Sequence, residues 1–349
     1  MNITKNKLAT FILTLFMSYF VLFGLNPEPH YNGEIEHLTF TTLMAFPDKA
    51  LSPKNNQSKH YDETKITPIE FKNILDQLYE NDYILIKISD TFFIENNVVH
   101  KKKLCLPKNK KPLLLSFDNV TYKSSYQNSG NVDKIIIDRN NNFATYTTKK
   151  SIQDRVMYDN EFIPILENFI FEHPDFSYNS ARGIIFLTGE NGVLGYKTNS
   201  KNASAKIESK KVLEVVNKLK ISGWEFGCNN YRYKDINNTA DIEFIKDLSL
   251  WQKEIKPIID NTPLFAFPQG INCIDKTKIQ ILLDNNFKAF FYNSMDKTFL
   301  IENNTLTMSR KPVNGITLRN NRNNFKNLFS CQEVYDNINR TIPFEPITT

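Results

Sequence analysis

The chain has 349 residues, 41% of them hydrophobic and 13% aromatic, which suits one large packed domain or two small ones and excludes a disordered chain. With 11 glycines, and neither a GxxxxGK(S/T) nor a GxGxxG run, it has no glycine-rich phosphate loop. The net charge of +5 comes from basic residues scattered among acidic ones, which speaks against a nucleic-acid partner; the exceptions, Lys101 to Lys103 and Lys108 to Lys111, suit an anionic envelope surface.

Lys5 and Lys7 precede Leu8 to Leu25, an uncharged stretch of 18 residues, and Asn26-Pro27-Glu28-Pro29 breaks it. This is a membrane-targeting segment whose flanking lysines place the N-terminus in the cytoplasm and the rest of the chain outside. Leu22 and Leu25 are poor cleavage-site residues, so an uncleaved single-pass anchor is expected, the alternative being a secreted chain after signal cleavage. Residues 1–33 then form a cytoplasmic stub and anchor, and residues 34–349 one domain. The four cysteines, Cys105, Cys228, Cys273 and Cys331, are widely spaced with no CxxC pair, which excludes a zinc ribbon and makes buried free thiols the default.

In chain order, Ile35 to Phe46 reads as a strand with Leu38, Phe40, Thr42 and Met44 on one face, and Asp48 to Glu63 as a polar loop. Thr67-Pro68-Ile69-Glu70 is a capping box with proline at the first helical position, opening a helix to about Asn81. Tyr83 to Ile88 is a strand, followed by an irregular region to Lys111. Pro112-Leu113-Leu114-Leu115-Ser116-Phe117-Asp118 is a strand apolar on both faces that ends abruptly in polar residues. Lys134 to Ile137 starts a hairpin with Asn140 to Asn142 at its tip. Helices are expected over Glu161 to Glu172, Lys206 to Lys220, Thr239 to Ile259 (with Ile242, Ile245, Leu248 and Ile255 inward) and Asp275 to Asn285. Strands are expected at Gly183 to Leu187, Trp224 to Gly227, Leu264 to Phe267 and Lys288 to Tyr292. Short buried strands alternating with amphipathic helices indicate an α/β fold, and their number indicates barrel-like closure.

Three strand ends carry the chemistry: Ser116-Phe117-Asp118-Asn119, Cys228-Asn229-Asn230-Tyr231-Arg232-Tyr233, and Phe267-Pro268-Gln269-Gly270. In a barrel they converge on one face. Their order and spacing, with Pro112 to Asp118, His173-Pro174-Asp175-Phe176, Gly183-Ile184-Ile185 and Gly223-Trp224-Glu225-Phe226, resemble the polysaccharide deacetylases, the NodB-type carbohydrate esterases, and among them a membrane-anchored clostridial branch. The resemblance covers roughly residues 36 to 325. It implies a distorted (β/α) barrel of the polysaccharide deacetylase type, here preceded by an N-terminal membrane helix, and a zinc or other divalent-metal hydrolase acting on N-acetylated cell-envelope polysaccharide. In that family a first aspartate is the base, a second aspartate and the histidines of His-x-x-x-His hold the metal, and a later histidine is the acid.

The sequence departs from that pattern. Asp118 matches the base, but Asn119 stands in place of the second aspartate, and Asn229 and Tyr233 in place of the two histidines. The five histidines, His30, His37, His60, His100 and His173, all lie outside the motif, and the third motif keeps Pro268 and Gly270 without its arginine. Neutral amides are weak ligands for a divalent cation, so no metal and no cofactor are expected, and Asp118 becomes either the surviving base or a leftover hydrogen-bonded to Asn119 or Asn229. Three readings follow: an impaired family member that still binds glycan through Asn119, Asn229, Tyr231, Tyr233, Pro268 and Gly270, with Trp224 and Phe267 as further aromatic faces; an active N-deacetylase with a rebuilt site using Cys228 or Cys273; or a non-enzymatic envelope scaffold.

Overall fold

Seven parallel strands form a closed ring. They are β1 (Glu36–Phe40), β2 (Lys111–Phe117), β3 (Ile184–Leu187), β4 (Glu225–Cys228), β5 (Leu264–Ala266), β6 (Ala289–Asn293) and β7 (Thr305–Pro312). Each pairs with the next, and β7 pairs back onto β1, so that Leu38 lies beside both Leu115 of β2 and Lys311 of β7. The computed structural model describes residues 30–123, 129–148, 150–199 and 203–345. The segment Leu8 to Leu25 lies outside these, and among the described residues no helix is long and apolar enough to cross a membrane.

The two-residue period of the strands sorts their side chains. Leu114, Ile184, Phe186, Leu264, Ala266, Ala289, Phe291, Leu306 and Met308 fill the interior of the ring. Leu113, Leu115, Phe117, Ile185, Leu187, Phe265 and Phe290 point outward and join the larger cluster under the helices. This double burial is why β2 reads as an unbroken apolar run. Phe117 stacks on Phe162 with ring centroids 3.9 Å apart and lies 5.5 Å from Phe40, so the strand that ends in Asp118 is fixed by packing on its outer face.

Among the described residues the longer helices are α1 (Pro68–Glu80), α2 (Phe162–Glu172), α3 (Ala205–Ser222), α4 (Asp241–Glu254) and α5 (Lys276–Asp284). The capping box of α1 is present, with Thr67 Oγ1 accepting from Glu70 N at 3.2 Å and Glu70 Oε2 from Thr67 N at 2.8 Å. Helix α3 buries Val212, Val215, Val216 and Leu219 and stops at Gly223. There φ is +106° and a Cβ would lie 1.7 Å from the Ser180 carbonyl oxygen, so only glycine fits.

Several expected boundaries are corrected. Strand β1 ends at Phe40, and Thr42 and Met44 belong to the loop beyond it. The polar stretch after it holds two short helices, Pro47–Ala50 and Ser58–Thr64. The strand expected over Tyr83 to Ile88 is confined to Tyr83–Leu85, and the irregular region before Lys111 contains an antiparallel hairpin, Phe92–Glu95 with Val98–Lys101. The long helix expected over Thr239 to Ile259 breaks after Glu254 and resumes as Lys256–Ile259, because Pro257 has no N–H to donate. Its inner face is also rotated from the expected one. Phe244, Leu248, Trp251 and Ile255 are buried, while Ile242 and Ile245 are 81% and 50% exposed. The larger aromatic surfaces take the core side. The hairpin at Lys134–Ile137, paired with Phe143–Tyr146, is as expected. The strand Phe299–Glu302 and β7, which closes the ring, were not anticipated.

Candidate functional site

The strands all deliver their C-terminal ends to one mouth. Asp118 and Asn119 follow β2, Thr188 follows β3, Asn229 follows β4, Phe267 follows β5, and Asn293 ends β6. Strand β7 contributes through its alternation: Leu306 and Met308 fill the interior, so Arg310, two residues on, points inward as well. Its side chain is fully buried.

Arg310 forks onto Asp118, with Nη1 donating to Oδ1 at 2.7 Å and Nη2 to Oδ2 at 2.8 Å. This is the bidentate geometry that suits guanidinium and carboxylate. Nη2 also donates to Asn293 Oδ1 at 3.2 Å and Nη1 to Ser116 Oγ at 3.3 Å, and the guanidinium lies 5.3 Å from the centre of the Phe186 ring. Ser116 Oγ is 3.0 Å from His37 Nε2. Arg310 can only donate, so Ser116 accepts from it, and Ser116 shares a second hydrogen bond with the imidazole whose direction follows the tautomer. Burial, and then the charge of Arg310, hold the His37 pKa well below the usual value. Asp118 is only 3% exposed and takes a backbone position too, its N–H donating to Phe40 O at 2.8 Å.

The two asparagines that the sequence resemblance sets in place of metal ligands are already committed. Asn229 Oδ1 accepts from Asn119 N at 2.8 Å, and Asn229 Nδ2 donates to Ala266 O at 2.9 Å. Asn119 Oδ1 accepts from Thr188 Oγ1 at 3.2 Å. These bonds tie the ends of β2, β3, β4 and β5 together. Asp118 is therefore not a leftover held by Asn119 or Asn229; its partner is Arg310. The donor set does not fit a divalent metal. One carboxylate is spent on a guanidinium, two amides are spent on the backbone and a threonine, and among the described residues no group of three His, Cys, Asp or Glu side chains is placed to hold an ion.

Beyond Asp118 opens a cleft of about 500 Å³, lined among others by Thr41, Thr42, Lys65, Tyr233, Gln269 and Asn314. A larger cavity of about 630 Å³ lies elsewhere, around His30 to Ile35. Four non-glycine residues around the mouth, Asn119, Asn230, Tyr233 and Gln269, have left-handed backbones with φ between +50° and +61°. For a bulky residue such as Tyr233 that conformation is costly, and strain of this kind gathers at functional sites. Burial, and then the charge of Asp118, push the Tyr233 phenol up. Gly270 has φ +73° and a Cβ there would strike the Asn293 side chain, so this glycine lets Asn293 reach Arg310.

The other anticipated residues are placed as follows. Tyr231 is 8% exposed and donates to Glu254 Oε2 at 2.6 Å, outside the cleft. Trp224 and Phe267 are buried in the core, Trp224 Nε1 donating to Glu167 Oε1 at 2.7 Å. Pro268 and Gly270 are buried behind Gln269, which does line the cleft. All four cysteines are free thiols. Burial pushes the Cys228 thiol well up and that of Cys273 up, which disfavours the thiolate that nucleophilic or ligand chemistry needs. Sequence reasoning missed Arg310 and Asn293, gave Ser116 no role of its own within its strand end and set His37 aside; the signal for Arg310 is its place in the row Leu306-x-Met308-x-Arg310.

It also missed Glu161, which staples the loops beside the cleft. Its carboxylate accepts from Leu43 N at 2.8 Å, Tyr122 OH at 3.1 Å and Phe162 N at 3.2 Å. Burial pushes its pKa up to about 7, against those hydrogen bonds and the charge of Lys65. Lys65, whose ammonium bonds Thr42, is pushed down to about 8 by burial. A raised carboxyl pKa means that the folded state holds the proton more tightly than the unfolded chain. The stability it contributes is complete below about pH 4.5 and is lost as pH rises towards 7. Relative to Glu161→Gln, the wild-type unfolding free energy should therefore fall by about 2–3 kcal/mol across that window. Urea melts at a series of pH values measure this, and parallel curves for the two proteins would contradict it.

No family model and no curated protein matches the chain. Solved structures similar to it include a Streptococcus pyogenes deacetylase in complex with acetate, at 13% identity and TM-score 0.46, covering 82% of this chain and 94% of that one. A polysaccharide deacetylase from Bacillus cereus is similar at 11% identity and TM-score 0.45, over 82% of this chain and 65% of that one. A de-N-acetylase from Aggregatibacter actinomycetemcomitans is similar at 12% identity and TM-score 0.45, over 86% of this chain and all of that one.

Proposed function

We propose that the chain is a membrane-tethered, extracytoplasmic barrel of the polysaccharide deacetylase class that engages N-acetylated cell-envelope glycan in the cleft and does not hydrolyse it by the metal-dependent route. The observation that carries this reading is the Asp118–Arg310 fork, which sets a fixed organic cation against the carboxylate of the first motif. The hydroxyls and amides of Thr41, Gln269 and Asn314 suit sugar hydroxyls and acetamide groups, and the Tyr233 ring, fixed on a strained backbone, offers a face for a pyranose. The N-terminal stretch Leu8 to Leu25 supports the tether.

The test is retention of the purified protein on acetylated and de-acetylated peptidoglycan, together with metal content and acetate release. Retention should favour the acetylated polymer and weaken about fivefold in Tyr233→Ala, the worth of roughly 1 kcal/mol of aromatic contact. Acetate release that is lost in Asp118→Ala would establish the rebuilt hydrolase instead. Equal retention of wild type and Tyr233→Ala with no turnover would leave the scaffold reading.

A further inference from the structure

The described chain begins against the hairpin side of the barrel. The backbone of His30 bridges to Cys105, Tyr31 N donates to Leu104 O at 2.9 Å, and His30 Nδ1 lies 3.0 Å from the same oxygen. These contacts pin the incoming chain directly beside Lys101-Lys102-Lys103. All three lysines are exposed. Among the described residues none of them has a carboxylate partner: Lys101 lies over the Phe299 ring and Lys102 donates to Ser89 O. The acidic groups nearest the start of β1, Glu34 and Glu36, are occupied by Lys297 at 2.6 and 2.5 Å.

Position and charge agree on an occupant. The apolar stretch ends at Leu25, five residues before His30. Fully extended, five residues span at most about 18 Å, so the tether holds this face at or near the headgroup layer. We propose that the face made by Lys101, Lys102 and Lys103 docks on the anionic headgroup surface of the bilayer that Leu8 to Leu25 enters. This rests on the tether reading and adds to it an orientation, since docking there fixes which way the barrel mouth faces. Each lysine close to an anionic surface strengthens attachment about fivefold, so neutralising all three should weaken docking on the order of a hundredfold.

The experiment places the full-length chain in nanodiscs of neutral phosphatidylcholine, or of phosphatidylcholine mixed with phosphatidylglycerol, and follows amide hydrogen exchange of residues 92–104. Exchange there should slow in the anionic discs alone. The slowing should vanish in high salt, where charges are screened within a few ångströms, and in the K101Q/K102Q/K103Q variant. If the chain enters both kinds of disc and exchange at 92–104 is the same in each, docking is overturned and the tether stands. If it enters neither, the tether is wrong and the docking proposal falls with it.

Discussion

Arg310→Met is expected to lower the unfolding free energy by about 3–5 kcal/mol, because it leaves the buried Asp118 carboxylate without its counter-charge. Desolvating a charge is costly, and here both oxygens, Ser116 and Asn293 all lose the same donor at once. The corresponding drop in melting temperature is about 4–7 °C for a chain of this size. The cost belongs to the orphaned charge rather than to lost packing, since methionine keeps much of the apolar stem. The double variant Arg310→Met, Asp118→Asn should therefore recover part of the loss, with a coupling of about 1–3 kcal/mol. Urea unfolding of the four proteins of the cycle measures this. A loss under about 1 kcal/mol in the single variant would mean that the fork does not hold the mouth together.

Arg340→Met should cost a similar amount, about 3–5 kcal/mol, at a second buried knot. Arg340 Nε donates to Glu70 Oε1 at 2.6 Å and Nη2 to Glu70 Oε2 at 2.8 Å, while Nη1 reaches Asp62 O at 2.7 Å and Asp62 Oδ1 at 3.1 Å. Burial disfavours its charge, but the hydrogen bond and charge of Glu70 more than offset this, so its pKa is raised. Glu70 is also the reciprocal partner in the capping box of α1, and Asp336 N donates to it at 3.0 Å. One substitution thus loosens the start of α1, the Ser58–Thr64 helix and the C-terminal strap together. The strap should become sensitive to limited proteolysis near residues 335–345 before the barrel does. Cleavage at wild-type rates would show that the other contacts of the segment, the buried Val334 and Tyr335 and the bonds of Tyr335 OH to Arg319 and Ile342 O, hold it without Arg340. Arg340→Lys is expected to rescue little, since an ammonium cannot fork onto both Glu70 oxygens.

The barrel was legible where one physical signal dominated. Three successive leucines bounded by Pro112 and Asp118 admit little but a strand buried on both faces, and Thr67-Pro68-x-Glu70 names a helix start by its hydrogen bonds. It was not legible where two signals compete. Thr305-Leu-Thr-Met-Ser-Arg alternates like a half-exposed strand, yet the row Leu306, Met308, Arg310 faces inward in a ring whose interior is apolar below and polar at the mouth. A buried arginine is the last residue such a pattern suggests, so the partner of Asp118 stayed hidden although Asp118 itself was found. From the sequence, Asn119 and Asn229 stand only as ligand positions without their ligands; what they do instead, bonding strand end to strand end, depends on distances between residues 37, 69 and 110 positions apart.

Closure of the ring through β7 bears on how the chain comes to fold. Strand β1 begins at Glu36 and its closing neighbour ends at Pro312, so in a growing chain the ring cannot close until the residues up to Pro312 have been made. Its polar interior partner, Arg310, arrives at the same moment, and until then the Asp118 carboxylate has no cation to receive it. Contacts of such long sequence separation are slow to form, and exposed strand edges invite association in the meantime. Chain termination anywhere before β7 should therefore yield an aggregation-prone product and not a smaller folded domain.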